Sequence, residues 1–257
     1  LARNMREVFG TVDGVGVFIR SDTNVEDLPG FTGAGLNLTL PNVVGLENII
    51  KGLQEVWASP FTRRAFAWRN SHMEGPEHVY PAVLLLKTVP ADMSGVMITA
   101  DVATGDRGYL SVAVDEGVGG AVEGQAAESV RISRATGEVK LLAVASDPFR
   151  HVPNPRGGID ELPASGRETL LRPEHVRQLI DIAADIPRKF PPVTDDQGRP
   201  APADVEFAFA ADKLQLLQIR PFLESRKARG STFLQAIDKP VRERASATVR
   251  MNEVPSR

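Results

Sequence analysis

Glu206, Gln218 and Arg220 stand within one short stretch, residues 204–220, which reads DVEFAFAADKLQLLQIR. Two apolar runs joined by a polar turn form a hairpin, and a carboxylate, a carboxamide and a guanidinium inside it need a reason. Strand side chains alternate faces. Glu206 therefore lies with Ala208 and Ala210, while Val205, Phe207 and Phe209 point the other way. On the second strand Gln218 and Arg220 share a face, opposite Leu217 and Ile219. An odd-length loop at 211–213, centred on Asp212, sets residue 206 directly across from residue 218, with Cβ atoms ~4.5–5.5 Å apart. A carboxylate and an amide oxygen at that separation can grip a hard divalent cation such as Mg2+, which takes oxygen ligands and keeps positions for phosphate oxygens and water. Arg220 then offers a planar fork that pairs bidentately with phosphate. The competing reading is a solvated hairpin face whose Glu–Arg pair is worth at most ~1 kcal/mol.

A second group of residues points to the same chemistry. Arg20 follows a compact β-branched and aromatic run, VGVFI at 15–19, and precedes a loop with Ser21, Thr23, Thr32, Gly30, Gly33 and Gly35. Glycines let backbone N–H groups approach an anion closely, and an arginine at the strand end adds charge-assisted hydrogen bonds to it. The loop is neither a Walker sequence nor GxGxxG, so each glycine taken alone reads equally as a tight turn. Together, the glycine loop and the hairpin describe a phosphoryl-transfer site, where catalysis is mostly positioning and charge neutralisation.

The elements that must hold these residues are legible from periodicity. Residues 1–9 read as a short helix and 15–19 as a strand. Leu46, Ile49, Ile50, Leu53, Val56 and Trp57 keep a helical spacing, with Pro60 separating this helix from a second at 61–69. From residue 80 the texture changes to short β-rich runs at 82–86, 95–98, 109–114, 129–132 and 139–143, separated by turn residues, which predicts a mainly antiparallel sheet. Residues 146–170, rich in Pro, Gly and charge, read as an irregular surface excursion. Pro173 opens a helix to about residue 190, with Val176, Leu179, Ile180 and Ala183 on one stripe. After Pro221 the apolar rhythm is lost, as in a linker or disordered tail.

Composition narrows the function classes. With 30 basic and 33 acidic side chains and a net charge of -3, the chain lacks the broad positive field of a general nucleic-acid binder. The absence of cysteine removes disulfides, thiolate zinc sites and cysteine nucleophiles, and a reducing, cytoplasmic setting is expected. The longest apolar run, AVLLL at 82–86, falls far short of the ~20 residues that span a bilayer. No membrane partner is expected. The first residue is Leu1 rather than methionine, as in a piece of something longer.

Three segments carry a family resemblance. VFIRSDTNVEDLPGFTGAG (17–35), LLLKTVPADMSGVMITADVATGD (84–106) and DVEFAFAADKLQLLQIRPF (204–222) resemble, in order, the VRSSATAEDLPGASFAG, VQRMVPADVSGVMFTADPVTGD and DIEWAIDGGKLYLLQARPV segments of the phosphoenolpyruvate synthase and pyruvate phosphate dikinase family. The resemblance implies an α+β, ATP-grasp-like fold in which ATP sits between two lobes and phosphorylates a histidine on a separate swivelling domain. It gives metal binding to Glu206 and Gln218, and phosphate contacts and charge neutralisation to Arg20 and Arg220. Thr32, Gly33 and Gly35 would cover the phosphates, and Leu86 would line the base site, where the family has Gln, leaving its contacts to backbone. Gly120 stands where the family's GLGE turn has its acid. The family's domain also has a further N-terminal segment, with a phosphate-binding lysine, ahead of the part matched here.

The expected cofactors are therefore ATP and Mg2+, and the expected partners are a phosphohistidine domain and an acceptor-binding domain of the parent protein. The expected layout is an Arg/Gly-loop and helical part at 1–78, an antiparallel subdomain at 79–223 ending in the metal-binding hairpin, and a linker or tail at 224–257. His72, His78, His151 and His175 lack the glycine- and serine-rich setting of a phosphohistidine loop, and each reads as a surface or partly packed side chain. The module alone is expected to be inactive. The GFTGAGL wording resembles glucan water dikinases equally, and antibiotic phosphotransferases share the module. A non-catalytic docking remnant of the fold is the alternative from another class.

Overall fold

In a computed structural model, residues 1–11, 13–25, 37–73, 75–119, 126–191, 194 and 198–222 are described. Thr32, Gly33, Gly35, Gly120 and the expected tail at 224–257 lie outside them. The elements are α1 (Ala2–Phe9), β1 (Gly16–Thr23), β2 (Thr39–Val44), α2 (Leu46–Ala58), a 3₁₀ turn (Ser59–Phe61), α3 (Arg63–His72), β3 (Pro81–Lys87), β4 (Met93–Ile98), β5 (Tyr109–Glu116), β6 (Glu128–Ser133), β7 (Val139–Ala143), β8 (Phe149–Pro153), β9 (Ile159–Pro163), α4 (Pro173–Lys189), β10 (Ala203–Ala210) and β11 (Lys213–Pro221). They build a small sheet ordered β2-β1-β3, a six-stranded sheet ordered β11-β10-β4-β5-β6-β7, and the β8-β9 hairpin. Every paired strand runs antiparallel. The architecture is α+β, as its mixed periodicities predict.

Alternation along β1 decides where Arg20 goes. Val17 and Ile19 are fully buried against Met5 of α1 and against Ile49 and Val56 of α2, so Phe18 and Arg20 must face the other side of the small sheet. Gly52 lets α2 sit close: a Cβ there would lie 2.7 Å from Ile19 Cδ1. Arg20 lies inside β1, paired with Thr39 of β2 and Leu84 of β3, and does not follow the strand as expected. The strand continues through Ser21, Asp22 and Thr23 because β3 supplies a paired neighbour down to Pro81.

The large sheet buries one face under α4. Phe207 and Phe209 of β10 join Met97, Leu110, Val112, Val114, Val130 and Ile132, and the α4 stripe Val176, Leu179, Ala183 and Ile186 closes over them. Each phenylalanine buried there contributes about 1.5–3 kcal/mol, and the two rings meet edge to face at 5.6 Å. Glu206, Ser94 and Asp115, one residue out of phase with this core, therefore occupy the opposite face.

The β10-β11 register matches the expected pairing by a different route. The turn has two residues, Ala211 (φ 48°) and Asp212 (φ 60°), joined to the pair Ala210 and Lys213. Left-handed backbone at both positions is the geometry whose twist suits a hairpin. A regular ladder from that turn would place Leu217 across from Glu206. A β-bulge between the Phe207–Leu216 and Glu206–Gln218 pairs absorbs Leu217 and brings Gln218 opposite Glu206. Leu217 was expected on the core face; the bulge turns it outward, 39% exposed.

Two further elements depart from expectation. Residues 146–170 hold the β8-β9 hairpin, and β2 precedes α2. All three strands mix polar and apolar residues without alternation and carry a proline inside or at an end, which periodicity reads as loop. The second predicted helix begins at Arg63, where the Thr62 hydroxyl accepts from the Ala65 N–H at 3.4 Å. Among the described residues no helix is long and apolar enough to cross a membrane.

Candidate functional site

Glu206 and Gln218 are direct cross-strand neighbours on the face opposite α4. Arg20 reaches them from the small sheet: Nη2 donates to Gln218 Oε1 at 2.6 Å, and Nη1 lies 3.6 Å from Glu206 Oε2. These oxygens thus already converge on a cation, with the carboxylate side chain only 14% exposed. Arg220 lies across from Asp204 and donates through Nε to Asp204 Oδ2 at 2.8 Å. Asp204 escaped the sequence reading, although its position two residues before Glu206 places it on the same face. Its Oδ1 is buried without a hydrogen-bond partner among the described residues.

Beside these charges a cavity of about 280 Å³ lies between the sheets. Phe18, Leu86, Val89, Ala91, Ala208 and Leu217 give it apolar walls, and Arg20, Glu206, Ser94 and Lys87 give it polar ones. The bulge thus places Leu217 in a wall of the cavity while holding Gln218 beside Arg20. Backbone polarity enters from β3. The Thr88 N–H donates to Gly16 O, so the ladder turns the N–H and C=O of Leu86 toward β1 and those of Lys87 away from it. As β3 is an edge of its sheet, the Lys87 groups face outward from the ladder.

The turn after β5 forms another wall, through Val118 and Gly119. It is fixed by the Gly119 N–H on Ser94 Oγ at 2.9 Å and the Val118 N–H on His151 O at 2.9 Å. Gly117 (φ 76°) is required there, because a Cβ would sit 2.1 Å from His151 O. Two buried aspartates, Asp115 near the end of β5 and Asp101 in the loop between β4 and β5, are pushed opposite ways. Burial raises the Asp115 carboxyl above its ordinary value, with Asp147 and Glu116 adding to the rise. The Ala103 N–H, and then the Arg131 guanidinium, hold Asp101 below its own.

The histidines need one correction. His175 is not a surface or partly packed side chain but is 1% exposed. Its Nδ1 accepts from the Arg172 N–H at 3.2 Å, its Nε2 lies 3.3 Å from Asp212 Oδ1, and its ring lies 4.5 Å from that of Phe209. It braces the first turn of α4 against the β10-β11 turn. A fixed brace is what periodicity alone does not reveal.

Among the described residues no group of three or more His, Asp or Glu side chains converges as a metal cage. What the site offers is a pair of oxygens met by the Arg20 guanidinium, an adjoining apolar cavity, and a second guanidinium, Arg220, held two residues beyond Gln218 by Asp204. That combination suits a ligand with an apolar planar part and a multiply charged anionic part.

Comparison with known proteins gives the same direction. The family described as pyruvate phosphate dikinase, AMP/ATP-binding domain, matches residues 1–239. A rifampicin phosphotransferase from Streptomyces sp is 30% identical over 208 residues, which are 79% of this chain and 23% of that protein. Phosphoenolpyruvate synthase from Pyrococcus furiosus is 28% identical over 226 residues, 85% of this chain and 27% of that one. A probable phosphoenolpyruvate synthase from Methanocaldococcus jannaschii is 29% identical over 224 residues, 84% of this chain and 18% of that one. The chain thus spans about a quarter or less of these relatives. With a match that runs through both sheets and the hairpin, the chain belongs to the pyruvate phosphate dikinase AMP/ATP-binding domain family.

Proposed function

We propose that the cavity and its charged rim bind Mg·ATP, and that the chain is the ATP-grasp module of a dikinase that delivers a phosphoryl group to a histidine on a partner domain. The observation that carries this reading is the meeting of Arg20, from one sheet, with Glu206 and Gln218, from the other, beside an apolar cavity. The base would stack between Phe18 and Leu86 on one side and Leu217 on the other, with the Lys87 backbone groups reading its polar edge. The phosphates would lie toward Arg20 and Arg220, with Thr32, Gly33 and Gly35 covering them by family resemblance.

Glu206 and Gln218 fit Mg2+, since they offer two oxygens already gathered on a cation and leave the other positions for phosphate and water. When bound, the metal supplies charge neutralisation at the phosphates. The two arginines hold the phosphates in line for attack and take up charge that develops on the transferred group. Ion pairing with Asp204 fixes the Arg220 fork before the ligand arrives. The incoming histidine nitrogen forms the new bond to phosphorus as the bond to the leaving phosphate oxygen breaks. The histidine and the final acceptor would belong to other domains of the parent protein, so the choice among pyruvate, glucan or antibiotic is made outside this module.

Calorimetric titration of the full-length protein with Mg·ATP tests the assignment. Glu206→Ala and Arg220→Ala should each weaken binding at least tenfold, the cost of one charge-assisted contact. Unchanged affinity in both variants would sink it, and a wild-type protein that binds no nucleotide would favour a docking role instead.

A further inference from the structure

The chain passes from the small sheet to the large one once among the described residues, at 88–92 between β3 and β4. The β8-β9 hairpin is a second, non-covalent tie between the same two sheets. Its base is held on the large sheet: the His151 carbonyl accepts from the Val118 N–H, and both the N–H and the hydroxyl of Ser165, just beyond β9, donate to Glu116. Its tip is held on the small sheet, where Asn42 Nδ2 donates to Asn154 O at 2.8 Å and to Gly158 O at 2.7 Å, and the Gly158 N–H returns a bond to Asn42 O at 2.9 Å.

Asn42 is built for this contact. It is 4% exposed and left-handed (φ 49°), in the irregular stretch of β2 opposite β1, a conformation asparagine tolerates better than most residues. Gly16 makes room for it, since a Cβ there would lie 1.9 Å from Asn42 Oδ1. The hairpin side is equally prepared: Asn154 folds the tip through Asp160, at 2.9 and 3.0 Å, and through the Arg156 N–H. Both anchorages belong to segments that line the cavity, β2 through Thr39 and the turn after β5 through Val118 and Gly119.

We propose that the β8-β9 hairpin is a clasp that fixes how far the two sheets open around the cavity, and so how long a bound nucleotide stays, with Asn42 as its catch. The residence-time half rests on the nucleotide reading above; the clasp itself does not. Asn42→Gly keeps the left-handed backbone and removes the catch, and Asn154→Ala loosens the tip from the other side. Spin labels at Glu55 on α2 and Arg177 on α4, both exposed, report the separation of the sheets in the full-length protein, and the chain adds no cysteine of its own. Wild type should give one narrow distance distribution, and either variant a broader one extending to longer distances. Dissociation of Mg·ATP should accelerate about tenfold, the effect of losing one to two hydrogen bonds. An unchanged distribution in both variants overturns the clasp. A broadened distribution with unchanged dissociation overturns its effect on residence. If wild type holds no Mg·ATP, the nucleotide reading fails, and the distance comparison still decides the clasp.

Discussion

Arg20 and Gln218, far apart in sequence and on different sheets, share a 2.6 Å hydrogen bond. The bond depends on two local events. Burial of Val17 and Ile19 sends Arg20 outward, and the bulge at Leu217 sends Gln218 to meet it.

Arg20→Ala and Gln218→Ala should each weaken Mg·ATP at least tenfold by calorimetry. Because the two side chains touch, the double variant should lose less than the product of the single losses. Fully additive losses would mean that the contact plays no part in ligand binding.

Leu217→Ala separates ligand binding from stability. The side chain is 39% exposed and lies in the cavity wall, so denaturant unfolding should shift by only about 0.5 kcal/mol. Nucleotide affinity should fall about tenfold, from apolar contact no longer made with the base. A large stability loss with unaltered affinity would assign Leu217 to the core.

The turn carries a strain that can be relieved. Ala211 holds φ at 48°, a region unfavourable to residues with a Cβ, whereas asparagine is preferred at the first position of such two-residue turns. Ala211→Asn should raise stability by about 0.5–1 kcal/mol, measured by thermal melting. The bond that the Ala211 backbone N–H donates to the Asp92 carboxylate oxygen Oδ2 at 2.7 Å does not involve the side chain of residue 211 and survives the change. A lower melting temperature would argue against the left-handed turn.

Asp115 and Asp101 predict opposite pH effects. Burial raises the Asp115 carboxyl, so the unfolded chain ionises first and stability falls as pH climbs from the unfolded value, near 4, through the folded one. Asp115→Asn should therefore gain stability at pH 7, and the gain should vanish below about pH 4. Asp101 is held low by the Ala103 N–H and Arg131; its contribution is present above about pH 4 and is lost as pH falls through the lowered folded value. Asp101→Asn should lose about 1–2 kcal/mol at pH 7, with the deficit closing in acid. Urea unfolding between pH 2 and pH 7 distinguishes the two curves.

Much of the scaffold was legible because burial writes a period into the sequence. The α4 stripe, the five strands from β3 to β7 and the facing of Val205, Phe207 and Phe209 follow from spacing alone. What escaped was set by partners rather than by period. β8 and β9 lack alternation and are strands because they pair with each other. Arg20 looked like the start of a loop because its continuation is polar, yet β3 lies alongside it. The pairing of Glu206 with Gln218 was legible, but the bulge that produces it was not, since nothing in LQLLQ tells which leucine is the extra one. His175 and Asp204 hide for the same reason: each derives its meaning from a residue elsewhere in the chain.

The bulge at Leu217 makes the length of this hairpin a matter of parity. With the two-residue turn kept, one residue gained or lost in β11 ahead of Gln218 would reverse the facing of everything beyond it until a compensating irregularity appeared, whereas two would leave the facing intact. Homologous hairpins should therefore vary in even steps, or trade a bulge for an odd-numbered loop, wherever the acid and the amide are kept in partnership.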